Sequence, residues 1–231
     1  MDKNGFLDAL RKEIKTLRAA VSTQNGDWTI KGFIDIAKNI YTISTDTKVI
    51  SKVMELSLFP ELLQFAKKYD LEMILAAQQN FYPDISFRDR EKNIFALDLK
   101  STYRVGENHV NGMTLGTFTG YFRSRKSTRN ITFPYESYKG HFVLGIVYSK
   151  KESSVDERRK YSLNEIGNIT SVIENLEFFV QEKYCIASDK PGSGNTRNIG
   201  SVDLIKIYFD FRNDFCVSVE FGSYAARNMF P

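Results

Sequence analysis

Residues 82–103 of the chain read YPDISFRDREKNIFALDLKSTY, and this stretch decides which fold the sequence predicts. Apolar residues alternate with other residues over 93–103, which predicts a β-strand. The period of two places Asp98 and Lys100 on the same face of that strand. A second short strand begins at Asp84, and the polar segment between the two strands predicts a hairpin loop. Pairing of these strands would bring two carboxylates and one ammonium group to one end of a sheet.

These three side chains have two interpretations. Asp and Lys two positions apart are common on the exposed face of an edge strand, where an ion pair contributes about 0–1 kcal/mol. Two carboxylates and a lysine are also the groups that hold a divalent cation against a phosphodiester and orient an attacking water. The residue pattern around Asp84, Asp98 and Lys100 leaves both interpretations open.

Composition limits the class of protein. The chain has 231 residues, enough for one substantial domain, and its 42% hydrophobic and 26% charged residues are ordinary for a globular protein. The 18 Phe and 12 Tyr favour a core that contains a sheet. The sequence shows neither a long apolar run nor a secretory signal, so we expect a cytoplasmic protein with reduced cysteines. Its two isolated histidines, His109 and His141, give poor support to a zinc site or a nucleophile–histidine triad.

Helices are predicted both before and after this central stretch of the chain. An amphipathic leucine and isoleucine stripe predicts a helix over 6–21, with Asn4 as its N-cap. Asp46 is expected to cap a helix over 47–59 that ends before Pro60 and is followed by a separate helix over 61–68. The remaining predicted elements are a strand over 140–148, a helix over 163–176 and a strand over 178–187.

Two segments have a composition that suits contacts with nucleic acid. The net charge of +4 permits such binding without requiring it. Four basic residues between Arg123 and Arg129, with no acid among them, suit either DNA phosphates or a solvated loop. Residues 189–201 combine glycines with short polar side chains that can read base edges in a major groove, although an ordinary turn-rich connection has the same composition. The glycine spacing there fits neither common nucleotide-binding motif.

Several segments, taken in chain order, resemble the EcoRV family of type II restriction endonucleases in the PD-(D/E)xK nuclease superfamily. The matching segments lie between residues 44 and 201 and include 78–84, 96–103 and 192–201. The resemblance implies an α/β fold with a central mixed β-sheet, surrounding helices and a DNA cleft formed by a dimer. It also implies Mg²⁺-dependent hydrolysis of double-stranded DNA at a short palindromic site, GATATC, that leaves blunt ends and 5′-phosphates.

The resemblance implies a role for each matching residue. Asp84 and Asp98 resemble metal-binding carboxylates, Lys100 resembles the lysine that orients the attacking water or stabilises transition-state charge, and Glu55 resembles an acid that helps hold a further metal. The residues implied to contact bases are Gln79, Asn80, Gly192, Ser193, Gly194, Asn195, Thr196 and Asn198. The residues implied to contact the DNA backbone are Lys48, Arg129 and Arg197. Arg197 departs from the small hydroxyl residue of the family, so its contacts are expected to differ.

One domain over residues 1–231 is expected, with parts of different roles. These parts are 41–140 for catalysis, 178–205 for DNA recognition, 1–40 with 145–165 for dimerisation, and 206–231 as a C-terminal lobe. The expected partners are double-stranded DNA, a second copy of the chain and a cognate DNA methyltransferase in a prokaryotic cytoplasm. The alternatives are a repair or junction nuclease with the same metal-site pattern and a catalytically silent DNA-binding protein.

Overall fold

The structure, a computed structural model, describes residues 1–115, 120–151 and 156–186 and the backbone of a strand at 201–204. Predictions for residues 187–200 and for the segment after 204 therefore lie outside the described residues. No helix in the described ranges combines the length and the apolarity that a membrane span requires.

The described residues form three α-helices, three 3₁₀ turns and ten β-strands. The helices are α1 (Lys3–Val21), α2 (Thr47–Lys68) and α3 (Gly120–Arg123), with 3₁₀ turns at Tyr135–Ser137, Leu163–Asn168 and Lys183–Ile186. The strands are β1 (Gly32–Ile34), β2 (Ile40–Thr42), β3 (Glu72–Leu75), β4 (Ile85–Arg88), β5 (Ile94–Tyr103), β6 (His109–Thr114), β7 (Tyr138–Lys150), β8 (Lys160–Tyr161), β9 (Ile173–Glu182) and β10 (Ser201–Leu204).

A five-stranded sheet in the order β3-β4-β5-β7-β9 forms the centre of the protein. Its neighbouring strands are antiparallel except for β5 and β7, which are parallel over ten paired positions. Two smaller sheets accompany it, one of β1, β2 and β8 and one of β6 and β10. The central mixed sheet and its helices confirm the predicted α/β class.

The first helix agrees with its predicted apolar stripe but begins earlier than predicted. Phe6, Leu10 and Leu17 are fully or almost fully buried along one side of α1. The N-cap is Asp2, whose carboxylate accepts a hydrogen bond from the backbone N–H of Gly5 at 2.7 Å. The prediction of Asn4 as the cap is wrong, because an ionised acceptor three positions before Gly5 satisfies a free N–H of the first turn.

The second helix is continuous where two helices were predicted. Pro60 lies inside α2, and Asp46 caps the helix as predicted by accepting from the N–H groups of Lys48 and Val49. Buried side chains on both sides of the proline, including Leu58 and Leu62, keep one apolar stripe against the sheet. Pro60 has no N–H group for the carbonyl of Leu56, both residues are exposed, and tertiary packing outweighs the local penalty.

The predicted helix over 163–176 is wrong. Only Leu163–Asn168 is helical, as a 3₁₀ turn, and β9 begins at Ile173. The helix-like spacing of apolar residues comes from an irregularity in β9, where the register against β7 shifts and Asn175 has a φ of 53°. A bulge of this kind inserts an extra residue and changes the period of two. The strand predicted over 178–187 correspondingly ends at Glu182 and is followed by a 3₁₀ turn.

Both faces of the central sheet are buried. One face packs on α1 and α2 through phenylalanines, with the ring centroids of Phe6 and Phe95 4.5 Å apart and those of Phe6 and Phe142 5.1 Å apart. The other face forms a second cluster that includes Ala96 and Val143. Successive residues of β5 therefore belong to the two clusters in turn. The face of β5 that carries the polar residues of the sequence pattern is buried against other parts of the protein as well.

Candidate active site

The hairpin of β4 and β5 brings Asp84 and Asp98 together. The pairing of Ile85 with Leu97 continues by one step to place Asp84 opposite Asp98. The backbone N–H of Asp84 lies 3.4 Å from Oδ1 of Asp98, and the backbone N–H of Leu99 donates to Oδ2 of Asp84 at 2.8 Å. The predicted convergence of the two carboxylates is therefore present in the structure.

Lys100 lies between the two carboxylates. Its Nζ is 3.5 Å from Oδ2 of Asp84 and 3.5 Å from Oδ2 of Asp98. These contacts follow from the period of two in β5, which puts Asp98 and Lys100 on the same face. The simple alternative of an exposed surface ion pair fails, because the Asp98 side chain is only 3% exposed.

A second lysine, which the sequence did not reveal, also binds Asp98. Lys183 follows β9 directly, its side chain is 1% exposed, and its Nζ donates to Oδ2 of Asp98. The same ammonium group lies 4.4 Å from the ring centroid of Tyr82. The only sequence signal was a charged pair, Glu182 and Lys183, inside a mainly apolar stretch.

Aromatic residues surround this buried charge. The hydroxyl group of Tyr82 forms a 2.7 Å hydrogen bond with Nδ1 of His141. The His141 ring stacks on Tyr135 with centroids 4.3 Å apart. Burial, helped by the ammonium of Lys183, lowers the pKa of His141 to about 3, so its imidazole is neutral at physiological pH. This histidine is therefore a packed residue beside the site.

The pKa values of the site depend on a balance of burial and charge. Burial raises the pKa of Asp84, and the neighbouring Asp98 carboxylate acts in the same direction against the opposing effect of Lys100. Burial also acts to raise the pKa of Asp98, but Lys100 and Lys183 together lower it to about 2. Burial lowers the pKa of Lys183 to about 8, whereas the two carboxylates outweigh burial at Lys100 and raise its pKa to about 12.

An open cleft of about 380 Å³ leads to this cluster. Four residues predicted for catalysis or DNA contact besides Lys100 line it, namely Lys48, Glu55, Gln79 and Asp84. Glu55 is close enough to raise the pKa of Asp84, and its own Oε1 accepts from Nζ of Lys52 at 2.6 Å. Asp98 lies behind the cleft wall, under Asp84 and Lys100.

The chemistry of these donors fits a hard divalent cation. Carboxylate oxygens are the ligands that Mg²⁺ and Ca²⁺ prefer. Burial is the main cause that raises the pKa of Asp84, and the Asp98 carboxylate adds a like-charge repulsion that a cation would relieve. Within the described ranges, however, the structure holds no ready cluster of three acidic, histidine or cysteine side chains around one point. The fit to a divalent cation therefore rests on Asp84 and Asp98, and Glu55 lines the same cleft as Asp84.

The other predicted contact residues lie apart from this cluster. Asn80 is exposed on the turn after β3. Arg129 is exposed on a loop, and its own backbone carbonyl group accepts a hydrogen bond from the hydroxyl of Tyr121 at 2.8 Å. The predicted major-groove readers, Gly192, Ser193, Gly194, Asn195, Thr196 and Asn198, lie outside the described residues, and so does Arg197.

A mixed sheet that presents Pro83-Asp84 on one strand end and Asp98-Leu99-Lys100 on the next strand defines the PD-(D/E)xK class of nucleases. Comparison with known proteins narrows this class. The family model described as "Restriction endonuclease EcoRV" matches residues 24–225. The type II restriction enzyme EcoRV of Escherichia coli is 35% identical to the chain over 185 residues, which cover 79% of this chain and 75% of that enzyme.

The chain belongs to the EcoRV family of type II restriction endonucleases, as its sequence predicted. Enzymes of this family are site-specific deoxyribonucleases that act on DNA with a divalent metal ion. The family match extends to residue 225, beyond residue 201 where the recognised sequence segments end.

Proposed function

We propose that the protein hydrolyses phosphodiester bonds in double-stranded DNA with Mg²⁺ at the palindromic site GATATC, leaving blunt ends and 5′-phosphates. The observation that carries the hydrolytic part is the convergence of Asp84, Asp98 and Lys100 at an open cleft, which Asp84 and Lys100 line. The site and the blunt cut are taken from the family, because the chain keeps 35% identity to its E. coli member.

Each residue of the cluster has a distinct task in this proposal. Asp84 and Asp98 hold the metal ion, which when bound lowers the pKa of a water and neutralises charge on the phosphate. Lys100 keeps its proton, because its pKa is raised to about 12, and it is therefore a hydrogen-bond donor rather than a base. Such a donor orients the attacking water or stabilises negative charge that develops on the phosphorus oxygens. Glu55 lines the same cleft and would help to hold a further metal ion; its Oε1 accepts from Nζ of Lys52 at 2.6 Å.

DNA contact is proposed at the open side of the cleft. Lys48 and Gln79 line it beside Asp84, so a duplex that presents a phosphate to the carboxylates also meets these two side chains. Lys48 contacts the phosphate side, Gln79 and Asn80 contact the minor groove, and Arg129 and Arg197 contact the backbone. Phosphate contacts of this kind position the duplex, whereas base contacts select the sequence.

Sequence selection is proposed for residues 192–198. If Asn195 forms a bidentate contact to adenine, Asn195→Ala should cost about 1–3 kcal/mol of discrimination at that base. The measurement compares the binding of the site and of single-base variants in Ca²⁺. An equal loss on specific and on random DNA would contradict a base-reading role for Asn195.

A homodimer is proposed through the small sheet of β1, β2 and β8. This sheet connects the two segments predicted for dimerisation, 1–40 and 145–165, since β1 lies within the first, β2 begins at its last residue and β8 lies within the second. Large apolar side chains are exposed around it. They are Phe33, Ile34, Ile36, Tyr41, Leu163 and Ile166. An exposed apolar group of this size is typical of an interface between protein chains.

A substitution at this surface tests the dimer. Ile34→Glu should shift the protein from dimer to monomer in analytical ultracentrifugation, because it buries a charge in the interface. Leu63→Glu on α2, where the leucine is 45% exposed against 59% for Ile34, is the matched control and should leave the dimer intact. A monomeric wild-type protein, or a dimer that tolerates Ile34→Glu, would contradict the proposal.

A cytoplasmic prokaryotic setting and a cognate DNA methyltransferase are proposed from the family alone. Host DNA carrying the same site needs protection from a site-specific nuclease, and methylation of that site provides it. Coexpression tests this directly: a methyltransferase that blocks cleavage of plasmid DNA supports the pairing, and one that leaves cleavage unchanged rejects it.

The proposed function as a whole is tested by a change of metal ion. The protein is bound to duplex DNA in Ca²⁺, Mg²⁺ is added, and the ends of the products are sequenced from a digest of known DNA. The expected result is one palindromic site cut in both strands without overhang. Site-specific binding without cleavage would indicate a silent DNA-binding protein, and cleavage at branched DNA would indicate a junction nuclease.

A further inference from the structure

Lys183 is the most deeply buried charged group in the described ranges that the proposed chemistry does not use. Its side chain is 1% exposed, and lysine is almost never buried to this degree without an ionic partner. Its partner is Asp98, which is itself 3% exposed. The two residues are 85 positions apart in the chain, so the contact depends on the packing of β9 against β7 and of β7 against β5.

The carboxylate of Asp98 is held from several directions. Lys183 and Lys100 both approach Oδ2, and the N–H group of Asp84 faces Oδ1 at 3.4 Å. Lys100 belongs to the same strand as Asp98, so it moves with β5. Lys183 comes from the far edge of the sheet, and the ring of Tyr82 covers its ammonium group at 4.4 Å. The N–H of Asp84 ties the carboxylate to the start of the neighbouring strand β4, and Lys183 ties it to the far edge of the sheet.

The charge of the cluster gives Lys183 a second effect. Two carboxylates, Asp84 and Asp98, face two ammonium groups, Lys100 and Lys183, and their formal charges cancel. Removal of one ammonium group would leave a net negative cluster, which attracts a divalent cation more strongly. The lysine thus opposes tight metal binding while it fixes one of the proposed metal ligands.

We propose that Lys183 is a positioning residue for hydrolysis that fixes the carboxylate of Asp98 and moderates the affinity of the site for a divalent cation. This inference rests on the proposed metal-dependent hydrolysis and adds a residue to it. Lys183 acts through Asp98, since neither its position nor its burial lets it touch DNA in the cleft.

Two variants separate the hydrogen bond from the charge. Lys183→Met keeps most of the length of the side chain and removes both, whereas Lys183→Gln removes the charge and keeps an N–H donor for Asp98. Lys3→Met is the matched control, because Lys3 donates to Glu182, the residue before Lys183, at 2.8 Å and does not contact the cluster. Ca²⁺ binding is measured from the thermal unfolding midpoint against CaCl₂, and single-turnover cleavage is measured at saturating Mg²⁺.

Both Lys183 variants should reach half-saturation at about five- to tenfold lower Ca²⁺ than the wild type. Cleavage at saturating Mg²⁺ should fall about 100-fold in Lys183→Met, because a misplaced catalytic group costs roughly this factor. The loss should be smaller in Lys183→Gln, and Lys3→Met should change neither quantity. Tighter binding of the metal together with slower cleavage is a combination that loss of folding cannot produce.

Three results would overturn the inference. They are unchanged or weaker Ca²⁺ binding in both Lys183 variants, wild-type cleavage in Lys183→Met, and equal effects in Lys3→Met. If Lys183→Met does not fold, Lys183→Gln alone decides by the same two measurements. A wild type that binds Ca²⁺ but cuts no DNA in Mg²⁺ would reject the proposed hydrolysis, whereas the Ca²⁺ titrations of the variants would still decide the effect of the lysine charge on the site.

Discussion

The two faces of the central sheet are both buried, yet they bury different chemistry. The face under α1 and α2 is apolar, and phenylalanine rings such as Phe6, Phe87 and Phe95 pack there at 4.5–5.6 Å between centroids. The opposite face holds the buried ion pair of Asp98 and Lys183 beside tyrosine and histidine rings. Strand β5 contributes to both faces, so residues next to each other along it lie on opposite faces of the sheet: Leu97 packs in the apolar core, and Asp98 belongs to the charged cluster.

The difference between the faces indicates that one face mainly supplies stability and the other mainly supplies activity. Apolar burial supplies stability in proportion to the area removed from water and does not depend on metal or charge. A buried ion pair adds little net stability, because desolvation offsets much of its attraction. The buried pair of Asp98 and Lys183 is therefore explained by function, and substitutions on the two faces should have opposite consequences for stability and for cleavage.

The largest effect is expected on the charged face. Asp98→Asn keeps the shape of the side chain but removes a proposed metal ligand, so the single-turnover rate in Mg²⁺ should fall roughly a thousandfold or more. Duplex binding in Ca²⁺ should survive, because the cleft residues Lys48 and Gln79 are unchanged. Cleavage within about tenfold of the wild type would remove Asp98 from the mechanism.

A large effect of the opposite kind is expected on the apolar face. Phe95→Ala removes a ring that stacks on Phe6 with centroids 4.5 Å apart, and it should lower the free energy of unfolding by about 3–5 kcal/mol. The rate of cleavage per folded molecule should stay close to that of the wild type. Urea unfolding and single-turnover cleavage are measured on the same preparation. A loss of rate without a loss of stability would show that the two faces are not independent.

A smaller effect is expected from pH through His141 on the charged face. Burial lowers its folded-state pKa to about 3, whereas an unfolded histidine titrates near about 6.5. The unfolded state alone takes up this proton below about pH 6.5, so stability should fall by up to about 2 kcal/mol between pH 6.5 and pH 5. The free energy of unfolding, measured in urea at several pH values, should depend less on pH in His141→Asn than in the wild type. His109→Asn, which removes an exposed histidine, is the control. A slope that is unchanged in His141→Asn would contradict the buried neutral state.

The sequence predicted those parts of the fold and site that depend on local spacing. Asp98 and Lys100 share a face because they are two positions apart on one strand, and Asp84 joins them through a short hairpin. Lys183 escaped prediction because its contact with Asp98 requires the order of β5, β7 and β9, which no local pattern encodes. Its burial also reverses the usual expectation that a lysine is exposed.

The errors in secondary structure have physical causes of the same kind. The apolar stripe of α2 continues past Pro60 because packing on both sides outweighs one missing hydrogen bond. The start of β9 looked helical because the register shift near Asn175 changes the spacing of its buried residues. Tertiary packing and a bulge therefore overrode propensity at these two places.

The most direct test of the account is the position of a metal ion in a crystal of the protein with Mn²⁺. Manganese prefers the same oxygen ligands as magnesium, and its anomalous scattering locates it without ambiguity. We expect a peak at about 2.1 Å from carboxylate oxygens of both Asp84 and Asp98, with the ammonium group of Lys100 beside it. A peak that contacts neither carboxylate, or a Lys100 side chain turned away from both, would contradict it.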